Sequence, residues 1–352
     1  MNNSNSTPAI SSPFVAESLT VAQVMRTVIY ALIPGILIYI SLFGWGVLIN
    51  IFIASVSAVI FEWLMLLLRD KNVKTFLFDG SAVLTAILLA LAIPPSVPWW
   101  IPVIGSFFAI VVAKHLYGGI GYNTFNPAMA AYAILLISFP RELSLWNAPL
   151  DQVNQSLSFI ESVKYSFLQV LPTTLSFDSM TSATLLDYVR TEVGLGRNIE
   201  EISQSTIFGY MSGAGYEWVN AGFLLGGLWL IYRKIISWHI PVSMLLAITC
   251  ISAICYLIDD KSFTSPLVHL FGGAAILGAF FIATDPITAS TTPVGRIIYG
   301  LGIGFLTFSI RVWGGYPDGV AFAVLLMGLT VPLLDYYTAP KVYGARSSYD
   351  KT

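Results

Sequence analysis

The residues with the plainest chemical potential form the heptapeptide DSMTSAT, 178–184, in a polar stretch of the chain. Thr184 ends it with an alcohol, and the small side chains of Ser182 and Ala183 leave that alcohol open to another enzyme's active site. A structural alternative exists, because Thr181 or Ser182 suits the N-cap of a helix that begins in the following ATLLDYVR segment. The two interpretations are compatible, since a helix start would hold a hydroxyl group in place.

Two carboxylates lie within or beside long apolar segments, where ionised groups are costly and are usually kept for a function. Glu62 is deep inside one such segment, although it could still reach water at the cytoplasmic face. Asp285 stands at the end of another, next to a proline. It is a candidate for contact with an ion or a polar ligand, or else an N-cap or part of a solvated cytoplasmic turn.

Other common chemical patterns are missing from the sequence. Cys250 and Cys255 share one apolar run, and their spacing fits neither a zinc nor an iron–sulfur site. The histidines are scattered along the chain at His115, His239 and His269. No nucleophile–base pair or phosphate-cradling glycine loop is recognisable, which argues against an independent soluble-type enzyme. The formal net charge of −2 gives no electrostatic reason to expect nucleic acid as a partner.

The elements that must position these groups are membrane helices. Of the 352 residues, 56% are hydrophobic and 10% are charged, whereas soluble domains carry about 25% charged residues. A helical span needs about 20 apolar residues, and fewer if the helix is broken. Ten segments qualify, which predicts an all-α integral membrane protein: 24–42, 45–68, 80–94, 98–116, 126–139, 218–232, 240–258, 267–284, 296–313 and 319–336.

Charge predicts the orientation, because short cytoplasmic loops are rich in lysine and arginine. The first twenty residues lack a basic start and an apolar core, so they read as a polar tail rather than a signal peptide. With this tail inside, the cytoplasmic side receives Arg69, Lys71, Lys74, Lys114, Arg233, Lys234, Arg296, Lys341, Arg346 and Lys351. The other side receives a long loop with four basic and eight acidic residues up to Glu201. We therefore expect both termini in the cytoplasm and the long loop outside it.

The chain also compares with itself. The matching pairs are GSAVLTAILLALAIPP (80–95) with GAAILGAFFIATDPIT (273–288), AKHLYGG (113–119) with SIRVWGG (309–315), and YAILL (132–136) with FAVLL (322–326). Apolar segments often resemble one another, but three matches in the same order with paired glycines favour a repeat. Because each unit has five spans, the second must be inserted upside down, as in many transporters and channels.

The repeat predicts a division of the chain into five parts. They are a cytoplasmic tail (1–23), the first five spans (24–139), an extracytoplasmic loop region (140–217), the second five spans (218–338) and a cytoplasmic tail (339–352). Prolines end the short third and eighth spans, and the carbonyls that they free need partners inside a membrane. A ligand or ion path is therefore expected near these breaks, at the pseudo-twofold centre.

Three long motifs resemble those of the D subunits of Rnf electron-transport complexes, also called RsxD, which are similar to the B subunit of the sodium-translocating NADH:quinone reductase. They are AKHLYGGIGYNTFNPAMAAYAILLISFP (113–140), GAFFIATDPITASTTPVGR (278–296) and GGYPDGVAFAVLLMGLTVPLLDYYT (314–338). The resemblance implies a bacterial inner-membrane subunit of a complex that passes electrons between ferredoxin and NAD and couples them to ion movement. It also implies partner subunits of the A, B, C, E and G types.

The resemblance further implies a covalent cofactor. Members of this family carry FMN joined by a phosphoester to a threonine, and a separate flavin transferase installs it at a motif of the form D-x-x-[ST]-[GS]-A-T. The match in this chain consists of Asp178, Thr181, Ser182 and Ala183, with Thr184 as the acceptor. The extracytoplasmic side, where charge places this segment, is also where the transferase of this family works.

A second flavin is a weaker expectation. In the related quinone reductase subunit, the region that corresponds to GGIGYNTFNPA (118–128) is implicated in non-covalent riboflavin binding, so Asn123 and Asn126 are candidate contacts. An amide also matches the donor–acceptor edge of an isoalloxazine ring. Alternatively, these amides cap the broken fifth span, or the glycines of the segment pack the two repeat halves together.

The sequence therefore predicts a subunit that relays electrons and helps to couple them to ion translocation. Glu62 and Asp285 are the candidates for coupling ion movement to flavin charge. The alternative is an inverted-repeat secondary transporter or channel without a redox role. A third possibility is a structural subunit whose flavin is vestigial.

Overall fold

The computed structural model describes residues 19–150, 152–153, 157–172, 180–316 and 318–340. Over these residues the chain is mostly helical and has one two-stranded sheet. The first group of helices is α1 (Val21–Phe43), α2 (Gly46–Leu68), α3 (Val73–Leu77), α4 (Ser81–Ala92), α5 (Trp100–Phe107) and α6 (Pro127–Ser138). A connecting layer follows, with α7 (Pro140–Ser144), β1 (Trp146–Asn147), α8 (Phe159–Leu168), β2 (Thr181–Ser182), α9 (Leu185–Gly194) and α10 (Ile199–Ile202). The last group is α11 (Tyr216–Tyr232), α12 (His239–Ile258), α13 (Pro266–Phe271), α14 (Ala275–Leu277), α15 (Pro293–Trp313) and α16 (Val320–Thr338).

Helices lie at each of the ten predicted segments, and the prediction of a helical membrane protein is confirmed. Within the described residues, six helical stretches are long and apolar enough to cross a membrane: α1, α2, the run Val73–Ala92, α12, α15 and α16. The stretches Trp100–His115 and Pro127–Ser138 are apolar but shorter. The number of crossings, ten, stays a prediction. Of the charges expected in the cytoplasm, Lys341, Arg346 and Lys351 lie outside the described residues.

Two helices widen into π-helical turns. The helix α5 continues as a π-helix over Phe108–His115, and α14 continues as one over Gly278–Ile282. In the second, the amide of Ala283 donates to the carbonyl of Gly278, five residues earlier, at 2.8 Å. Such wide turns are rare and are frequent at functional sites.

Glycines let the backbones of α1 and α11 meet. A Cβ placed on Gly226 would lie 1.9 Å from the carbonyl oxygen of Ala31, and one on Gly222 would lie 2.9 Å from the Cα of Gly35. Neither position tolerates a side chain without moving a helix. The first helix of each group thus packs against the other through small residues, as is common between membrane helices.

The connecting layer covers one end of the two helical groups. Its two short strands pair antiparallel, with Trp146 opposite Ser182 and Asn147 opposite Thr181. The aromatic rings of Trp146 and Tyr216 pack edge to face, with centroids 6.3 Å apart. This contact holds β1 against the start of α11. Because β2 pairs with β1, it lies at the same place, between the two groups of helices.

Candidate functional site

Thr184 itself is the N-cap of α9. Its Oγ1 accepts a hydrogen bond from the backbone N–H of Asp187 at 3.4 Å. The prediction that Thr181 or Ser182 caps this helix is therefore wrong, because both residues belong to β2 and their backbones pair with β1. Asp178, the first residue of the motif, lies outside the described residues.

The position of Thr184 suits an anionic ester. It is half-buried, and its hydroxyl oxygen stands at the start of α9, against the backbone N–H of Asp187. The N-terminus of a helix carries a partial positive charge and unpaired N–H groups, which favour a bound phosphate. A phosphoester at this oxygen would stand at the favourable end of the helix dipole.

A cavity of about 330 Å³ lies beside Thr184, between the two helical groups. We call it the Thr184 cavity. Its wall includes Tyr39 of α1, Tyr132 of α6, Tyr216 of α11 and Arg190 of α9. Binding sites for small molecules have volumes from about 300 Å³ upward and are mostly apolar, with a few placed polar groups. This cavity meets that description.

The residues around the cavity fit a flavin nucleotide. Among the described residues, the buried hydroxyls of Tyr39 and Tyr216 have no hydrogen-bond partner other than each other, which leaves at least one O–H able to donate. The guanidinium of Arg190, which also lines the cavity, forms no ion pair with a described residue. A spare hydroxyl suits the polar edge of a ring system, and a guanidinium suits a phosphate.

A second, smaller cavity of about 80 Å³ lies at the opposite ends of α4 and α6. We call it the Asn123 cavity. It brings together candidates that the sequence suggests separately, since Asn123, Asn126 and Asp285 all line it. Lys114, which contacts Glu62, lines it too.

The two asparagines of this cavity differ. The amide oxygen of Asn126 caps α6 by accepting from the N–H groups of Ala128 at 3.1 Å and Met129 at 3.3 Å. Its Nδ2 donates to the carbonyl of Ile282 at 3.2 Å. The capping interpretation is therefore confirmed for Asn126. Asn123 donates to its own turn, but its buried Oδ1 has no partner among the described residues.

The riboflavin contact stays a prediction, and the Asn123 cavity is small for it. The unpartnered Oδ1 of Asn123 could accept a hydrogen bond from a ligand N–H, but 80 Å³ is well below the ~300 Å³ of a typical ligand site. The glycines beside it do not pack the two halves together either. Gly118, Gly119 and Gly121 have φ angles of 128°, 97° and 91°, so they form a turn that other residues would adopt only with strain.

Asp285 follows the second π-helical turn and accepts a hydrogen bond from the hydroxyl of Thr288 at 2.8 Å. Residues 286–288 form a turn, so the prediction of a turn at this point is confirmed, and the N-cap alternative is wrong because no helix begins at Asp285. A contact with an ion stays a prediction, supported by the position of Asp285 on the wall of the Asn123 cavity.

Glu62 belongs to a buried polar cluster formed by Glu62, Asp79, Ser81, Lys114 and His115, which we call the Glu62 cluster. The Lys114 ammonium lies 2.9 Å and 2.8 Å from the two carboxylate oxygens of Glu62 and 2.9 Å from the hydroxyl of Ser81. His115 Nε2 lies 3.1 Å from Glu62. Glu62 is only 2% exposed, so the suggestion that it reaches water directly is wrong.

Lys114 is one of the positive charges that the sequence assigns to the cytoplasmic surface. The structure buries it at 3% exposure, because the π-helical turn that contains it faces α2 and Glu62. Only Glu62 of this pair stands out in the sequence, since a lysine near a helix end reads as a flanking charge.

The sequence does not single out Arg190, Tyr39 and Tyr216 either, because their wide separation in the chain leaves no signal that they share a cavity.

The fold and the cavities define the class of protein: a mostly helical integral membrane protein with a cavity between two groups of helices. A model of the NQR2, RnfD, RnfE family matches residues 9–344. The chain belongs to this family.

Relatives that are named as the D subunits of ion-translocating oxidoreductase complexes are similar over nearly the whole chain. The protein of Yersinia pseudotuberculosis serotype O:1b (strain IP 31758) is 48% identical over 347 residues, which cover 96% of this chain and 99% of that protein. The protein of Aliivibrio salmonicida (strain LFI1238) is 48% identical over 341 residues, 95% of this chain and 97% of its own. That of Escherichia coli O139:H28 (strain E24377A / ETEC) is 46% identical over 344 residues, 96% and 98% of the two chains.

Proposed function

We propose that this chain is the D subunit of an ion-translocating oxidoreductase complex in the bacterial inner membrane, and that it carries FMN on Thr184. The family and the name shared by its relatives support the role in such a complex. One observation carries the flavin proposal. The Thr184 hydroxyl stands at a helix N-terminus on the wall of a cavity of ligand size.

The attachment is a transfer of a phosphoryl-linked group to an alcohol. A flavin transferase would present an activated flavin nucleotide to Thr184. The Thr184 oxygen would lose its proton and bond to phosphorus, while the bond from phosphorus to the leaving group breaks. The neighbours Ser182 and Ala183 leave room for the second enzyme. The N–H groups at the start of α9 would stabilise the charge of the ester.

Bound FMN supplies one- and two-electron redox chemistry, and the protein supplies position and polarity. In this proposal the Thr184 cavity excludes water, and Arg190 offsets the charge of the phosphate. The Glu62 cluster and Asp285 line or adjoin the Asn123 cavity, at the other ends of α4 and α6. We place ion coupling there, with Glu62 and Asp285 as the groups that exchange the ion. A riboflavin at Asn123 and Asn126 stays a prediction that the small cavity does not support.

The proposal includes two inverted repeats of five spans. Equivalent helices pack against each other across the molecule, α1 against α11 and α6 against α16. Within each group, α2 packs against α5 in the same way that α12 packs against α15. These pairings support the repeat, and the charge distribution supports termini inside and residues 140–217 outside.

The test is labelling of Thr184 in the chain co-expressed with a flavin transferase. The unmodified chain should give a fluorescent band after denaturing electrophoresis and a mass increase that maps to Thr184. Thr184→Val, which keeps the shape but removes the hydroxyl, should lose both. Thr184→Ser is the matched control, because it keeps the hydroxyl and the N-cap.

Two results would contradict this proposal. Absence of any covalent flavin would favour a transporter or channel without a redox role. Labelling of Thr184→Val at Thr181 or Ser182 would show that the acceptor is wrong. If labelling is normal but Thr184→Val leaves electron transfer in the assembled complex unchanged, the flavin is not part of the relay.

A further inference from the structure

We propose that the Thr184 cavity holds the isoalloxazine ring of the covalent flavin, with the hydroxyls of Tyr39 and Tyr216 as its polar contacts. This inference rests on the proposed attachment at Thr184. It adds where the ring lies and which residues bind it. The alternative is a tethered ring that extends away from the protein toward a partner protein of the complex.

The first argument is the state of the two hydroxyls. Tyr39 is 3% exposed, and the hydroxyls of Tyr39 and Tyr216 have no hydrogen-bond partner among the described residues other than each other. One bond between the two hydroxyls uses a single O–H, so the other O–H has no acceptor, and a buried donor without an acceptor costs about 1–3 kcal/mol. Both residues line the cavity, so a ligand with acceptor atoms could satisfy them.

The second argument is the shape and composition of the wall. Aromatic rings of Tyr39, Tyr132, Trp146, Tyr216 and Tyr316 line the cavity. Aromatic rings bind planar ring systems by stacked and edge-to-face contacts. The Tyr39 and Tyr216 rings are 6.4 Å apart and tilted at 56°, and Phe43 packs behind both. The two tyrosines are therefore held in place by packing before any ligand arrives.

The third argument is the polar end of the cavity. Thr184, Asp187 and Arg190 of α9 all line the cavity, so an ester on Thr184 would enter it beside one acidic and one basic side chain. Asn220, also on the wall, is already occupied, because its Nδ2 donates to the carbonyls of Phe271 at 2.7 Å and Gly273 at 3.0 Å. Of the tyrosines on the wall, Tyr39 and Tyr216 are the two whose buried hydroxyls have no other hydrogen-bond partner among the described residues.

The test uses Tyr39→Phe and Tyr216→Phe, which delete only the hydroxyls, in the full chain labelled by a flavin transferase. Each should give the same amount of covalent flavin as the unmodified chain. The absorption spectrum and the reduction potential of the flavin should shift, because hydrogen bonds to the ring tune its electronics. Tyr299→Phe is the matched control, since Tyr299 is also buried with an unpartnered hydroxyl among the described residues but does not line the cavity.

A second measurement does not depend on variants. Iodide quenches flavin fluorescence by collision in water, so a ring inside the cavity should be quenched several-fold less than free FMN. Normal labelling with unshifted spectra in both tyrosine variants, or quenching equal to that of free FMN, would overturn the location of the ring. Absence of labelling in the unmodified chain would instead overturn the attachment itself, so the two failures are distinguishable.

A different observation carries a second proposal, concerning α8. This helix buries Ser162 and Ser166 together with Tyr165, and it exposes Ile160, Phe167 and Leu168 as well as Lys164. A helix on the surface of a soluble protein usually buries apolar residues and exposes polar ones. At most of these positions α8 does the opposite. We infer that α8 lies in the plane of the membrane interface, with its apolar face in contact with lipid chains.

The neighbours of α8 identify lipid as the occupant of this face. Phe167 stacks on Trp99 with centroids 6.0 Å apart, and Phe159 meets Trp45 at 5.6 Å. Both tryptophans are partly exposed at the starts of membrane helices, and such residues mark the boundary of the bilayer. The apolar face of α8 also continues the exposed apolar residues of α2, such as Phe52, at 68% exposure.

Spin labels in the assembled complex in phospholipid vesicles test this placement. In a background of Cys250→Ala and Cys255→Ala, labels at Ile160→Cys and Leu168→Cys should be accessible to oxygen and protected from a water-soluble nickel chelate. The exposed Gln204→Cys should show the opposite pattern. Access of nickel to Ile160 and Leu168 like that of Gln204 would overturn the proposal, as would protection from both reagents, which would indicate a protein partner.

Discussion

At the scale of residues, the Glu62 cluster shows how a charge is kept inside a membrane protein. Lys114 lies between the carboxylate of Glu62 and the hydroxyl of Ser81, and Ser81 in turn donates to Asp79 at 2.6 Å. Every member is at most 9% exposed. Each charge therefore depends on the next for its solvation, and loss of one leaves its partner uncompensated.

Glu62→Gln should destabilise the chain by ~3–5 kcal/mol, because it leaves the Lys114 ammonium buried without its carboxylate. The change should appear as a lower midpoint of thermal unfolding in detergent, followed by tryptophan fluorescence. Ion translocation by the complex should fall as well.

The double variant Glu62→Gln with Lys114→Met is the control for this prediction. It removes the unpaired charge, so it should be more stable than Glu62→Gln alone. Equal midpoints for the single and double variants would show that the pair does not contribute in this way.

At the scale of elements, polar groups from neighbouring helices form hydrogen bonds with the backbone groups that are left unpaired where a helix breaks. Before α14, Asp318 accepts from the N–H of Ala274 at 2.7 Å, and Arg311 donates to the carbonyl of His269 at 2.6 Å. After α4, Asn50 donates to the carbonyl of Pro94 at 2.9 Å. These contacts supply the partners that a broken helix needs inside a membrane.

Gly273→Ala should disturb the break before α14. Gly273 has a φ of +68°, and a Cβ there would lie 2.5 Å from the Oδ2 of Asp318. The left-handed backbone alone costs an alanine about 1–2 kcal/mol, and displacement of Asp318 adds to this. We expect a lower midpoint of thermal unfolding in detergent.

Gly194→Ala is the matched control for the break. No atom lies within 4 Å of a Cβ at Gly194, and the residue has helical surroundings at the end of α9. It should leave the unfolding midpoint unchanged or slightly higher. A loss of stability in Gly194→Ala equal to that in Gly273→Ala would show that strain at the break is not the cause.

At the scale of the whole molecule, the sequence predicts the helices well because long apolar runs leave few alternatives. It predicts less of the connecting layer. There, the cap is Thr184 because β2 takes up Thr181 and Ser182. The Thr184 cavity could not be predicted, because Tyr39, Tyr216 and Arg190 come together only through packing of distant helices.

Orientation can be checked on the whole molecule with membrane-impermeant thiol reagents. In a background without Cys250 and Cys255, Ser203→Cys in the connecting layer should react in intact cells whose outer membrane is permeabilised. Lys71→Cys, between α2 and α3, should react only after the inner membrane is opened. Both positions are exposed, so burial would not mask either thiol. The reverse pattern would place the termini outside.

The glycine contacts between α1 and α11 have a mechanical consequence. Main chain meets main chain there, as at Gly226 and the carbonyl of Ala31, with no flexible side chain between them. Such a contact has no side chain that could change its rotamer to accommodate a shift of one helix against the other. The two helical groups should therefore keep their spacing along this line, and a change in the width of the Thr184 cavity should come from a change of angle between the groups rather than from their separation.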